Sequence, residues 1–248
     1  MKIGFLITAR MKSTRLPKKV TKQINDREII AWMIDRIKLS KTVDEIIICT
    51  SVNKDDDILE EIAHRENIKC FRGSEEDVIL RLYNATEKFK LDFALNITAD
   101  CPLVSYDYID RIYHVFKEKK PDLIRCLDLP HGFFSYGLKV EALKKICKNK
   151  KSEHTEVWGG LYERDKYRVF DMEIPERLIR PNYRLTLDYP DDFVFFEKIF
   201  QKFGKKTYTI SDLELIEYLD NNPQIVSINN HLHKDWIKRW NKQSKLAK

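Results

Sequence analysis

Glycine is scarce in this chain, seven residues in 248, and two glycine-built nucleotide motifs are missing. Neither G-x-x-x-x-G-K-[ST] nor G-x-G-x-x-G occurs, which excludes a Walker A loop and a Rossmann dinucleotide fingerprint. No stretch approaches the ~20 apolar residues that span a bilayer. The apolar run in residues 1–8 is too short for a signal peptide and no small-residue cleavage site follows it, so a cytoplasmic protein is expected. The five cysteines (Cys49, Cys70, Cys101, Cys126, Cys147) are odd in number and contain no C-x-x-C pair. That spacing excludes a structural zinc site, and buried reduced thiols are expected.

What is present is a charge-rich globular composition, 43% hydrophobic and 34% charged, rather than a disordered one. The net charge of +6 is mild, and its distribution is more telling. Between Arg10 and Lys22 stand Arg10, Lys12, Arg15, Lys18, Lys19 and Lys22 with no acid among them. A second basic stretch runs from Lys234 to Lys248.

Apolar runs at residues 2–8, 45–50, 68–71 and 93–98 suit strands covered on both faces. Helical spacing recurs at Ile29, Ile30, Met33, Ile34 and Ile37, and helices are expected over 55–65 and around 77–89. This alternation predicts an α/β sheet. In the second half, strands are expected at 122–127, 136–140, 168–174 and 184–187, and helices at 152–164 and 193–203. A single domain is predicted over 1–248: a first half (1–125), a strand-rich insertion (126–183) and a final stretch with C-terminal helices (184–248).

Three segments carry chemistry. The basic run Thr8–Lys19 follows a strand directly, and the carboxyl ends of strands in open α/β sheets face the ligand crevice. Arginine forks and lysine point charges there suit polyphosphate. Asp100, in Thr98-Ala99-Asp100-Cys101-Pro102, and Asp188, after 184–187, each follow a strand and are candidates for a shared hard cation, which takes carboxylates plus phosphate oxygens and waters. Asp55–Asp57 and Asp191 are read as helix-capping acids.

Together these segments resemble the cytidylyltransferases that activate acidic sugars, such as the Kdo and acylneuraminate enzymes, and most closely their SpsF-like branch. The likeness rests on A-R-x-x-S-T-R-L-P-x-K at Ala9–Lys19 and G-S-x-x-D-V at Gly73–Val78, with Arg81 following. It continues in T-A-D-C-P-L at Thr98–Leu103, R-L-T-x-D-x-P-x-D at Arg184–Asp192, and the stretch Asn222–Asn229. The family often has glycine where Lys12 and Lys18 stand here.

The resemblance implies a GT-A/Rossmann-like, three-layer nucleotidyltransferase fold with a mixed central sheet and a β-rich insertion, CTP as co-substrate, Mg²⁺, and a homodimer. It implies that Arg10, Ser13, Arg15 and Lys19, with Ala9, bind the CTP phosphates. Gly73, Ser74, Asp77 and Arg81 would line the nucleotide pocket, and Asp100 and Asp188 would hold Mg²⁺. Arg15, Lys19, Asp100 and Asp188 would be the catalytic set. An acidic small-molecule acceptor is the expected partner. His154 is read either as an acceptor contact or as a cap of the following helix. His131-Gly132 and Tyr136-Gly137 lie in the β-rich insertion, which in the family faces the acceptor; turn chemistry is the alternative and the preferred reading for His131. His64, His114, His231 and His233 are read as surface positions.

Three rivals are weighed. A glycosyltransferase of the same broad fold would use a D-x-D motif, of which Asp55–Asp57 is the one example. A non-catalytic nucleotide binder would keep the pocket without turnover. Nucleic-acid binding would use the tail cations Lys234, Lys238, Arg239, Lys242, Lys245 and Lys248 with Trp236 and Trp240. Against the last, the two tryptophans share one helical face at i, i+4, which suits packing on the body.

Overall fold

Strand formation follows the apolar runs closely. In the computed structural model, which describes residues 1–238, the chain begins with β1 (Ile3–Thr8), a small hairpin of β2 (Gln23–Ile24) and β3 (Arg27–Glu28), and α1 (Ile29–Ile37). It continues through β4 (Glu45–Ser51), α2 (Asp57–Arg65), β5 (Lys69–Gly73), α3 (Val78–Phe89), β6 (Phe93–Thr98) and α4 (Tyr106–Lys119). The second half adds β7 (Leu123–Arg125), β8 (Tyr136–Lys139), α5 (Val140–Asn149), β9 (Val169–Asp171), α6 (Pro190–Phe203), α7 (Asp212–Asp220) and the short α8 (Pro223–Val226).

Seven strands form one mixed sheet in the order β5-β4-β1-β6-β8-β7-β9. The pairings of β1 with β4 and β6, of β4 with β5 and of β7 with β9 are parallel, and β8 is antiparallel to both its neighbours. Because side chains alternate across a strand, Phe5 and Ile7 enter one apolar cluster with α1, α2, α4, α6 and α7, while Leu6 enters another with α3 and α5. The sheet is thus covered on both faces, which is why its central strands read as unbroken apolar runs. The predicted helical set Ile29, Ile30, Met33, Ile34 and Ile37 is fully buried in α1. All five cysteines are free; Cys49, Cys101 and Cys126 are buried. No helix of the described residues is long and apolar enough to cross a membrane.

The strands expected at 122–127, 136–140 and 168–174 form in shortened versions and extend the same sheet. Two expectations fail. Residues 152–164 do not form a helix: they hold only a 3₁₀ turn at Trp158–Leu161, because Thr155 N–H donates to Glu76 O across the chain. Residues 184–187 are not a ladder strand; one isolated bridge pairs Arg184 with His131. The tail residues Arg239, Trp240, Lys242, Lys245 and Lys248 lie outside the described residues.

Candidate active site

The basic loop leaves β1 at Thr8 and is pinned at its start. Ala9 is buried and its N–H donates to Cys49 O at 3.2 Å. The Met11 N–H donates to Asp56 Oδ1 at 2.7 Å, and Ser51 donates to Asp56 Oδ2 from both its backbone and its hydroxyl. Asp56 is therefore a loop anchor, not the helix cap expected of the Asp55–Asp57 run: it makes no side-chain cap bond to α2. Burial disfavours its charge, but these hydrogen bonds outweigh burial and hold its pKa below the usual carboxylate value. Further along, Lys18 turns the chain in the left-handed region at φ 54°. Glycine would enter that region without a steric cost. Leu16 and Val20 are buried on either side of the turn and carry Lys19 back toward the sheet.

There Lys19 Nζ lies 2.5 Å from Asp100 Oδ2 and 2.9 Å from Asp188 Oδ1. Arg15 Nη2 donates to the same Asp188 oxygen at 2.7 Å and its guanidinium stands 5.4 Å from the Tyr189 ring centroid. Asp100 follows β6 by two residues, and Thr98 donates its hydroxyl to Asp100 Oδ1.

Asp188 reaches the cluster by backbone stitching. Leu185 N–H donates to His131 O at 2.7 Å and Leu187 N–H to Asp100 O at 2.8 Å. This approach requires Gly132, at φ +93°, because a Cβ there would sit 2.1 Å from Leu185 O. Arg184, fully buried, braces the segment by donating to Asp188 Oδ2 at 3.0 Å and to both oxygens of Asp192. Asp192 also accepts from Asp188 N–H, Tyr189 N–H and Asn229 Nδ2. The start of α6 is thus capped by Asp192, whereas Asp191, expected to be the cap, is half exposed. Asn229 was marked only by family likeness; the structure shows it tying the C-terminal segment to Arg184 O at 3.0 Å.

The electrostatics follow from this packing. Burial works against the Lys19 charge, yet Asp100 and Asp188 outweigh it and raise the pKa above the ordinary lysine value. Burial likewise opposes ionisation of Asp188, but Lys19, Arg184 and Arg15 hold it well below the carboxylate range. Both groups are charged at neutral pH.

Arg15, Lys19, Asp100 and Asp188 line one end of a cavity of about 620 Å³. Its other walls hold His131, Phe134, Tyr136, Trp158 and Trp236. His131 packs at a tilt of 43° against Trp236 with ring centroids 3.8 Å apart, and burial, with Arg184 nearby, pushes its pKa down to about 3, so the imidazole is neutral. His233 lines the cavity as well, against the expectation of a surface position. His131, Phe134 and Tyr136 share the stretch that leads into β8, and His233 and Trp236 share one helical stretch near the C-terminus. Tyr136 stands in the expected acceptor-side insertion; β8 runs antiparallel to β6, so its first residue meets Asn96 near the carboxyl end of that strand.

The remaining expected site residues lie apart from that cavity. Arg10 donates to Glu75 O at 3.0 Å and pairs with Glu156 at 3.4 Å; it lines a second hollow of about 310 Å³ with Lys12, Asn53 and Glu75. Ser13 is half-buried on the loop between them. Gly73 ends β5 against Phe71 and Arg81. Arg81 is buried beneath the turn, with Nη1 donating to Ser74 O at 2.5 Å and Glu75 O at 3.2 Å. Asp77 is buried and caps α3 by accepting from Leu80 N–H at 3.1 Å, and Ser74 Oγ accepts from Asp77 N–H. His154 is exposed and 3.4 Å from Glu76; with no helix after it, it caps nothing. Among the described residues no group of three or more His, Cys, Asp or Glu side chains is arranged to hold a metal.

The cytidylyltransferase family model matches residues 5–231. The chain is 32% identical over 233 residues to the spore coat polysaccharide biosynthesis protein SpsF of Bacillus subtilis, covering 89% of this chain and 95% of SpsF. A solved cytidylyltransferase from Leptospira borgpetersenii serovar Hardjo-bovis matches with TM-score 0.84 at 28% identity, covering 91% of this chain and 97% of that one. A CMP:2-keto-3-deoxy-manno-octonic acid synthetase complexed with CTP shares the fold at TM-score 0.66 and 13% identity, over 82% and 99% of the two chains. The family match spans nearly the whole chain and the likeness to SpsF nearly all of both proteins: this chain belongs to the cytidylyltransferase family and is a nucleotidyltransferase.

Proposed function

We propose that this enzyme transfers CMP from CTP to an acidic sugar or a phosphorylated or phosphonate acceptor, with Mg²⁺ and with release of pyrophosphate, in the building of a surface polysaccharide or a related conjugate. The observation that carries this reading is the cluster of Arg15, Lys19, Asp100 and Asp188 at the mouth of one cavity. The name of SpsF supports the polysaccharide setting. A homodimer, taken from the family resemblance, belongs to the same reading, as does work in the cytoplasm.

The donor set suits the metal. Asp100 and Asp188 already share one cation, the Lys19 ammonium, and two carboxylates completed by phosphate oxygens and water are what Mg²⁺ takes. Bound there, Mg²⁺ would supply Lewis-acid polarisation of the α-phosphate. The chain's own cations do the rest. The acceptor oxygen attacks the α-phosphorus, its proton is lost, and the bond to the pyrophosphate oxygen breaks. Arg15 and Lys19 bind the phosphate oxygens and neutralise the charge that builds on the leaving group, each contributing about 2–4 kcal/mol to the barrier reduction. Arg184 and Asp192 keep Asp188 fixed, so little reorganisation is needed.

The test is pyrophosphate release with CTP, UTP, ATP and GTP in turn, with Mg²⁺, against acidic sugars, phosphosugars and phosphonates. Release with CTP and one acceptor class is the expected result. Sugar transfer from a nucleotide-sugar without pyrophosphate, or CTP binding without turnover, would overturn it.

A further inference from the structure

The motif acid Asp77 has no free oxygen for a nucleotide. Its Oδ1 accepts from Leu80 N–H at 3.1 Å and from Thr155 Oγ1 at 2.9 Å, and Lys150 Nζ is paired with Oδ2. Thr155 is itself fully buried, and its hydroxyl oxygen accepts from Ile79 N–H at 3.0 Å while its own N–H donates to Glu76 O at 3.3 Å. One residue from a segment without regular structure therefore completes the cap of α3, 78 positions away from its acid. The next four residues, Glu156, Val157, Trp158 and Gly159, line the same large cavity as Arg15 and Lys19.

We infer that the Asp77–Thr155–Lys150 cluster is a positioning device: it sets the 156–159 wall of the cavity, and through it the acceptor, while making no contact with CTP. The inference rests on the cytidylyl-transfer reading for the identity of what the wall meets. Asp77 and Thr155 are positioning residues here, acting through Trp158 and its neighbours. Small displacements of a wall that orients a reactant are costly, so the loss appears in use of the acceptor rather than of the nucleotide.

The experiment compares Thr155→Val, Thr155→Ala and Thr155→Ser with the wild-type full chain. In the Val and Ala variants, amide exchange over residues 153–161 and at Ile79 rises about 10-fold or more, as local opening becomes easier. CTP affinity by calorimetry stays within about twofold, and KM for the acceptor that supports pyrophosphate release rises about 10-fold while KM for CTP is unchanged. Thr155→Ser, which keeps the hydroxyl, restores all three. Unchanged exchange over 153–161, or a loss of CTP affinity with that exchange unchanged, would overturn the inference. If the wild type releases no pyrophosphate with any acceptor, the proposed function fails separately, and exchange with its rescue by serine still decides whether the cluster positions the wall.

Discussion

Two acids from the same family pattern, Asp100 and Asp77, meet opposite fates in this molecule. Asp100 follows a strand, stays partly accessible and shares its neighbouring ammonium with Asp188 at the cavity mouth. Asp77 precedes a helix, is buried, and is consumed by a cap, a threonine and a lysine. An acid past a strand end in an α/β sheet is delivered to the crevice, whereas an acid before a helix is drawn to the unpaired N–H groups of its first turn. The residue type is the same; the element adjoining it in the chain decides its use.

Substitution at these two positions should separate chemistry from stability. Asp100→Asn is expected to lower turnover by about 10²–10³-fold with a melting temperature within a few degrees of wild type, because Lys19 keeps Asp188. Wild-type-like pyrophosphate release by this variant would sink the metal assignment. Asp77→Ala should do the reverse, costing about 3 kcal/mol in urea unfolding, since it strips a helix cap and leaves Lys150 unpaired. A stable Asp77→Ala protein that no longer binds CTP would break the comparison.

His131 sharpens it at a titratable group enclosed in the wall. Its folded pKa of about 3 lies below its ordinary value of 6.5. The unfolded chain therefore takes up a proton below about pH 6.5 that the folded chain refuses, and stability falls as pH drops from there toward 3. Between pH 7 and 5 this contributes a loss of about 2 kcal/mol. His131→Gln should lose correspondingly less over the same interval, and equal losses in the two proteins would show that the imidazole is not the cause. The smallest effect is expected at Lys18. Replacing it by glycine relieves the left-handed backbone at a cost in unfolded-state entropy, for a net gain under about 1 kcal/mol. Turnover should stay within about twofold; a tenfold loss would place the Lys18 charge on a phosphate.

The same contrast governs what could be read in the sequence. The central strands and α1 were legible because burial on both faces writes itself as apolar runs and helical spacing. Arg15, Lys19, Asp100 and Asp188 were legible because each sits just beyond such a run or inside a dense basic loop. The 152–164 segment misled because its polar groups serve another helix: Thr155 spends its hydroxyl on α3. Residues 184–187 look like a strand because Leu185 and Leu187 are buried, but their N–H groups go to His131 and Asp100. Asp56 holds the N-cap position of α2, but its side chain serves Ser51 and the Met11 amide, the latter 45 positions away. Partnerships of that range leave no local pattern.

The separation between Lys19 and Asp188, 169 positions, has a consequence for synthesis on the ribosome. All strands of the sheet are synthesised once Asp171 is made, while Lys19 still lacks one of its two acids. The turn that supplies Asp188 also starts α6, whose Phe195, Phe196 and Phe200 close one face of the core. Closing the core and bringing Asp188 to Lys19 are then one late event in the making of the chain.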